Sequence, residues 1–160
     1  MKILFASAEV KPFSKVGGLA DVVGSLPKYL EKDAEIAVFT PLHGCIDKEK
    51  WGLKHVENSK LHMQFGWSSN NFELYMAKMP DTNINVFFID NPKYFGCFDC
   101  VYPYNIDERY NHERFIAFSK TVDGQLLFLM VNKNEMLSPV YKMVLYCMAN
   151  SETNIAIIRS

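Results

Sequence analysis

Two adjacent glycines, Gly17 and Gly18, separate an apolar run from an amphipathic segment, and this arrangement constrains the fold most strongly. The run at residues 2–7 is short and almost wholly apolar, as is typical of a strand buried in a parallel sheet. After the glycines, apolar residues recur at helical spacing, namely Leu19, Val22, Val23, Leu26 and Leu30. A second apolar run, residues 35–40, stops at Pro41. Strand, loop, helix and strand in this order predict a right-handed βαβ unit.

The middle of the chain predicts a hairpin followed by another strand and a long helix. Residues 61–67 and 72–79 alternate apolar with polar side chains, and the polar residues 68–71 between them are typical of a turn. Residues 84–89 predict a third buried strand. Apolar residues at helical spacing predict a helix over 109–131.

The predicted fold class is α/β, with a doubly wound, mostly parallel, Rossmann-like sheet and an inserted β-hairpin. No linker, repeat or low-complexity tract divides residues 1–160, so we expect a single domain. Pro27 predicts a kink or an early break in the first helix. Ser138-Pro139 predicts the start of another helix, with Val140, Met143, Val144 and Cys147 on one face. Residues 154–158 predict a last strand.

Composition and charge exclude several classes of protein. Hydrophobic residues make up 49% of the 160 and charged residues 22%, a balance that favours a globular fold over disorder. The net charge of −1 argues against a general nucleic-acid binder. We find neither a signal peptide nor an apolar run that could span a membrane, so we expect a cytoplasmic protein with free thiols at Cys45, Cys97, Cys100 and Cys147.

The loop after the first strand combines the elements of a phosphate site. Two glycines allow backbone N–H groups to approach a ligand closely. The helix that follows directs its positive end at the same point, and Lys15 adds a flexible positive charge. The alternative is a tight turn at Gly17-Gly18 beside a solvated lysine, because the spacing matches neither a Walker loop nor the dinucleotide fingerprint. Asp21, taken alone, is an acid favoured at a helix start.

The signature Lys15-Val16-Gly17-Gly18-Leu19-Ala20-Asp21-Val22 lies within an opening, residues 1–27, that resembles the N-terminus of glycogen and starch synthases. Residues 88–95 and 111–115 are also similar to that family. The resemblance covers about residues 1–120, and residues 121–160 diverge from it.

The resemblance implies a glycosyltransferase of two facing domains, each with a doubly wound sheet (the GT-B fold), of which this chain is the N-terminal one. The family transfers glucose from ADP-glucose to the non-reducing end of an α-1,4-glucan, with retention of configuration and without a metal or other cofactor. By resemblance, Lys15, Gly17 and Gly18 contact the donor phosphates, whereas Asp21 and Glu9 order the loop or bind sugar.

Acceptor binding is predicted at the aromatic stretch before the long helix. The clustered rings of Tyr94, Phe95, Tyr102 and Tyr104 are candidates for stacking on sugar, with Tyr94 and Tyr104 preferred, and Asn111 matches a family position. The alternative for the rings is a packed aromatic loop. Residues 107–111 keep the family's first Asp and its Asn but lose a Tyr and the second Asp.

The family's active-site histidine motif is missing from this sequence. Residues 137–143 stand in its place, and no histidine follows His112. The C-terminal donor domain, which would choose between ADP-glucose and UDP-glucose, has no counterpart here either. We therefore expect a chain that is incomplete as a catalyst. The alternatives are a non-catalytic α-glucan-binding or regulatory module that pairs with a synthase, and a half-enzyme that a separate C-terminal chain or self-association completes.

Overall fold

The computed structural model describes residues 2–65, 68–104, 106–132, 143–149 and 154–159. The elements, in chain order, are β1 (Lys2–Ser7), α1 (Gly18–Leu30), β2 (Glu35–Pro41), β3 (Lys54–His55), β4 (Leu61–Phe65), β5 (Ser68–Lys78), β6 (Asn85–Asp90), a π-helical turn (Pro92–Gly96), α2 (Glu108–Asn132), β7 (Met143–Ala149) and β8 (Asn154–Arg159).

The strands form one mixed sheet in the order β3-β5-β6-β2-β1-β7-β8, with β4 paired to β5. Its centre, β6-β2-β1-β7, is parallel, with Phe5 opposite both Val38 and Leu145. The flanking pairs β5–β6, β3–β5, β4–β5 and β7–β8 are antiparallel. The α/β, Rossmann-like prediction is confirmed, and the antiparallel strands lie to either side of the parallel centre.

Alternating side chains of β1 supply both faces of the sheet. Ile3 and Phe5 pack with Val23 of α1 in one core cluster. Leu4 and Ala6 pack with Phe118 of α2 in the other. Since the two helices cover opposite faces, β1 is buried on both sides, which explains its unbroken apolar sequence. The sheet is therefore doubly wound around β1.

The turn of the predicted hairpin was placed wrongly. Phe65 pairs with Ser68, so residues 68–71 belong to β5, and the connection at 66–67 lies outside the described residues. The polar side chains that resembled a turn are instead used across the strands: His62 bonds to both Asn71 and Ser69, at 3.0 and 2.9 Å. An exposed strand face carries polar residues as readily as a turn does.

Helix α1 differs from its prediction in two respects. It continues through Pro27 to Leu30 without a break, and the next backbone N–H, of Glu31, donates to Pro27 O at 2.9 Å. Its apolar arc is also wider than its buried face, because Val22 and Leu26 are 52% and 38% exposed.

The prediction of a helix beginning at Ser138-Pro139 is wrong over the part that the structure describes. Residues 143–149 form β7 beside β1, while residues 138–142 lie outside the described part. A short apolar run is compatible with a buried central strand as well as with a helix face. Here it forms a strand, because β1 pairs with β2 along one edge only and β7 supplies the hydrogen bonds along the other. The predicted last strand is confirmed as β8.

Gly24 marks the closest approach of α1 to the loop after β1. A Cβ atom at this position would lie 2.8 Å from Lys11 O and 2.9 Å from Lys11 Cβ. Because the first obstacle is backbone, the helix or the loop has to shift to admit a larger residue.

We predict that Gly24→Ala destabilises the protein by roughly 1–2 kcal/mol, since overpacking outweighs the gain of about 1 kcal/mol in helix propensity. Urea unfolding monitored by circular dichroism measures the change. Gly18→Ala is the matched control, because a Cβ there would meet no atom within 4 Å. A stabilised Gly24→Ala protein would show that the close contact relaxes freely.

Candidate functional site: a glycine loop beside an aromatic loop

The glycine loop, residues 14–18, follows β1 and leads directly into α1. Its first residue is fixed by two hydrogen bonds: Ser14 N–H donates to Val10 O at 2.9 Å, and Val10 N–H donates to Ser14 Oγ at 3.2 Å. The remaining four residues of the loop are exposed. A rigid start therefore presents an open loop at the carboxyl end of β1, where parallel α/β sheets bind their ligands.

A buried carboxylate holds the middle of this loop. Glu9 is only 1% exposed, and its Oε2 accepts hydrogen bonds from the N–H groups of Val16 and Gly17 at 2.7 and 2.9 Å. Its Oε1 accepts from Tyr102 Oη at 2.8 Å. Three donors thus compensate the desolvation of the charge, which would otherwise be costly. Glu9 orders the glycine loop in this structure.

Asp21 draws two lysines to the start of α1. Its carboxylate lies 2.7 Å from Lys15 Nζ and 3.1 Å from Lys11 Nζ, and all three side chains are about half exposed. The hydrogen bond from Lys15, and then that from Lys11, lower the pKa of Asp21 below its usual value. Two ammonium groups against one carboxylate leave the cluster with net positive charge.

The backbone beside these lysines is open to a ligand. Gly17 precedes the helix without a side-chain cap, and a Cβ on either glycine would meet nothing within 4 Å. Among the described residues, none accepts a hydrogen bond from Gly18 N–H. Lys15 Nζ lies against Asp21 in the first turn of α1, and Gly18, the first residue of that helix, is exposed. A mobile positive charge and the positive end of a helix are thus close together, which suits an anion.

His43 lies beneath the loop, just after β2. Its Nε2–H donates to Ala8 O at 2.9 Å, while its Nδ1 has no partner among the described residues. Burial lowers the pKa of His43 to about 4; the charge of Arg114 acts in the same direction, whereas the Ala8 carbonyl and Glu9 oppose it. His43 is therefore neutral near pH 7, and it supports the segment that carries Glu9.

The aromatic loop, residues 97–104, follows β6 and the π-helical turn and presents one ring fully to solvent. Tyr104 is 90% exposed. Tyr94, in the turn itself, is completely buried, stacked on Phe72 with ring centroids 6.1 Å apart, and its hydroxyl donates to Glu113. Tyr94 therefore has no ring face open to a sugar in this structure, and Tyr104 has.

Arg114 of α2 fastens the aromatic loop from inside. This buried guanidinium donates to Tyr94 O at 2.6 Å, to Val101 O at 3.3 Å and to Asn111 Oδ1 at 3.2 Å. Burial lowers its pKa. Asn111, predicted to bind acceptor, thus has its amide oxygen engaged within the protein.

The predicted residues fall into two groups. Lys15, Gly17, Gly18, Asp21 and Glu9 lie at the start of α1. The acceptor candidates belong to the region of the aromatic loop, where Arg114 bonds to Tyr94 and Asn111 and the ring of Tyr104 is exposed. Sequence reasoning missed the functions of three residues that join or support these groups, Tyr102, Arg114 and His43. A charged residue within the apolar spacing of α2 was the available sign for Arg114. Tyr102 was a candidate only for stacking on sugar, and nothing in the sequence marked His43.

Two further findings concern metals and membranes. Within the described ranges, no three His, Cys, Asp or Glu side chains come together in a way that could hold a metal ion. Cys45, Cys97 and Cys100 are free thiols. No helix of the described part of the chain is long and apolar enough to cross a membrane.

A sheet with a parallel centre and helices on both faces, with a glycine loop at the end of β1, places this chain in the doubly wound α/β class of domains. Comparison with known proteins narrows this class. Residues 2–126 match the family model of the starch synthase catalytic domain. The chain belongs to this family, and it corresponds to the N-terminal domain of glycogen and starch synthases.

Curated relatives include three bacterial glycogen synthases. The Thermosipho melanesiensis protein is 36% identical over 91% of this chain and 31% of its own length. The Pseudothermotoga lettingae protein is 43% identical over 64% of this chain and 22% of its own length. The Bacillus subtilis protein is 38% identical over 76% of this chain and 24% of its own length. This chain thus spans less than a third of each relative.

A solved structure agrees with these relatives. The catalytic domain of starch synthase IV from Arabidopsis thaliana, bound to ADP and acarbose, superposes with a TM-score of 0.65 at 25% identity. The match covers 82% of this chain and 26% of that one.

The buried His43 predicts a pH-dependent stability. Because its folded pKa of about 4 lies below the unfolded value near 6.5, only the unfolded state takes up the proton between these values. Stability is full above pH 6.5 and falls by about 1.4 kcal/mol per pH unit as pH decreases toward 4. His43→Gln, which retains an N–H donor for Ala8 O, should remove this slope.

Urea unfolding at pH 7 and pH 5 measures this effect as the difference between the wild-type and variant slopes. His112→Gln, at an exposed position of α2, is the matched control and should leave the wild-type slope intact. Equal slopes in wild type and His43→Gln would refute the assignment.

Proposed function

We propose that this chain forms one wall of the active-site cleft of an ADP-glucose-dependent glucosyltransferase that extends an α-1,4-glucan. The observation that carries the proposal is the exposed ammonium group of Lys15 against Asp21, at a start of α1 that has no side-chain cap. Membership of the starch synthase family supports it, as does the ADP bound to the Arabidopsis relative.

Each residue of the glycine loop has a distinct role in this proposal. Lys15 and Gly18 N–H contact the donor diphosphate, and the missing side chains of Gly17 and Gly18 let it approach the backbone. Asp21 holds Lys15 in position when no donor is bound. Glu9 keeps the loop in the conformation that turns Gly18 outward.

The reaction breaks the bond between glucose C1 and the β-phosphate oxygen of ADP-glucose and forms a bond from C1 to the acceptor O4. ADP leaves with the electron pair and the negative charge of the broken bond, and the acceptor hydroxyl releases its proton to water. A fixed cation beside that phosphate stabilises the charge as it develops. In this proposal, Lys15 supplies the cation, and the reaction needs no metal or other cofactor.

The glucan binds at the aromatic loop in this proposal. The exposed ring of Tyr104 offers a face for stacking on a sugar. Asn111 lies seven residues further along the chain, and the bond from Arg114 to its Oδ1 fixes the orientation of its amide group. Acarbose in the Arabidopsis structure supports a saccharide ligand for the family.

A second domain completes the cleft. The chain spans at most 31% of these relatives, and apolar surface is exposed along α1, at Val22, Leu26 and Tyr29, and at Val16 in the loop before it. Such a surface is typical of an interface. We infer that the rest of the synthase fold covers it, in the same or a separate chain, and that the protein acts in the cytoplasm. The alternatives are that the chain associates with itself through this surface, or that it binds glucan without catalysing transfer.

The first prediction from this proposal concerns Lys15. Isothermal titration calorimetry should show that Lys15→Ala weakens ADP-glucose binding by roughly 10- to 100-fold, because a charge-assisted contact is lost. Lys60→Ala removes the same charge from an exposed position before β4 and should change the affinity less than twofold, or about 0.4 kcal/mol.

Glucose transfer from labelled ADP-glucose to maltopentaose then tests completeness. We expect no product from the chain alone, and product when the C-terminal part of the Thermosipho melanesiensis relative is added. Product from the chain alone that Lys15→Ala abolishes would contradict the need for a second domain. Glucan binding without ADP-glucose binding in the wild type would favour the non-catalytic module.

The second prediction concerns the acceptor. Tyr104→Ala should weaken maltopentaose binding by about three- to tenfold, which corresponds to the loss of one stacking contact. Tyr29→Ala serves as the control, because Tyr29 is also largely exposed, at 74%, but belongs to α1. An equal loss in both variants would show that Tyr104 has no special part in glucan binding.

A further inference from the structure

Tyr102 connects two loops that are far apart in sequence. It belongs to the aromatic loop, yet its hydroxyl donates to Glu9 Oε1 at 2.8 Å, across 93 residues of chain. Its ring lies 6.3 Å from that of Phe115 on α2. Burial first, and the bond to Glu9 second, raise the pKa of Tyr102, so the phenol keeps its proton and remains a donor.

The same carboxylate holds the glycine loop through its other oxygen. Glu9 Oε2 accepts from Val16 N–H and Gly17 N–H, and the residue is almost fully buried. Among the described residues, no Lys, Arg or His forms an ion pair with Glu9. Its orientation is therefore set by three hydrogen bonds, two from the glycine loop and one from Tyr102.

The aromatic loop is firm enough to transmit a displacement. Arg114 donates to the carbonyls of Tyr94 and Val101, and Val101 is the residue before Tyr102. The guanidinium also lies 5.4 Å from the Phe98 ring and 5.7 Å from the Phe115 ring. A movement of the exposed end of this loop therefore reaches Tyr102 through a short, anchored segment.

We propose that Tyr102 is a positioning residue that couples the aromatic loop to the glycine loop through Glu9. A glucan seated on the aromatic loop changes the position of the Tyr102 hydroxyl, Glu9 follows, and the amides of Val16 and Gly17 move with it. Gly18 N–H, the next backbone donor along the chain, thereby changes direction relative to the donor diphosphate at Lys15. The choice of glucan and ADP-glucose as the two ligands rests on the proposed function. The hydrogen-bonded connection from Tyr102 through Glu9 to the glycine loop is present in the structure without them.

The test compares Tyr102→Phe with Tyr104→Phe by ¹H–¹⁵N NMR of the whole chain. Each variant loses one hydroxyl and keeps its ring. In Tyr102→Phe, the amide resonances of Val16 and Gly17 should shift, although Tyr102 reaches these residues only through Glu9. In Tyr104→Phe, they should stay at the wild-type positions, because the hydroxyl of that exposed ring has no bond to Glu9.

Ligand titrations give the second readout. Saturating maltopentaose should change the ADP-glucose affinity of the wild type by roughly fivefold or more, and Tyr102→Phe should abolish this change. Unmoved Val16 and Gly17 amides, or equal coupling in the two proteins, would overturn the inference. A wild type that binds neither ligand would refute the proposed function instead, and the amide shifts would then decide the link by themselves.

A folding defect in Tyr102→Phe would not prevent the test. Glu9→Gln examines the same link from the other side, with the ring resonances of Tyr102 as the signal. They should shift in this variant, whereas those of Tyr104 should not. An unchanged Tyr102 spectrum would refute the coupling.

Discussion

The buried carboxylate of Glu9 is the interaction on which the rest of the site depends. A charge with 1% exposure needs several donors, and two of its three are backbone N–H groups of the glycine loop. The loop must therefore fold back over the end of β1. Since Glu9 already occupies the amides of Val16 and Gly17, an incoming anion is left with Gly18 N–H and Lys15. The protein's own carboxylate thus limits where the ligand can bind.

The sheet explains why two distant loops meet at this carboxylate. β1 lies in the middle of the parallel centre, with β2 on one side and β7 on the other, and α1 and α2 cover opposite faces. β1 and β6 both run parallel to β2, so the loops that follow them open at the same edge of the sheet. Tyr102 can reach Glu9 because the topology brings its loop over that edge.

Much of this fold could be predicted from local sequence patterns. The apolar runs of β1, β2 and β6 and the spacing in α2 determined these elements, and the family signature located the residues of the glycine loop. Predictions failed where a pattern fitted two structures: the polar residues of β5 resembled a turn, and the apolar run of β7 resembled a helix face. The Tyr102–Glu9 and Arg114–Val101 contacts depend on how the folded chain is arranged, and no sequence spacing encodes them.

The site combines an exposed ion pair, between Lys15 and Asp21, with buried hydrogen bonds to Glu9. Exposed ion pairs such as Lys15–Asp21 contribute little to stability, so a phosphate can replace Asp21 as the partner of Lys15 at little cost. Removing a donor from buried Glu9 costs more, about 1–3 kcal/mol. Binding of the donor alone should therefore leave the hydrogen bonds between Glu9 and the glycine loop in place, while the Lys15 side chain moves between Asp21 and a ligand. A preorganised backbone donor beside a movable cation suits a site that must bind a charged donor and later release a charged product.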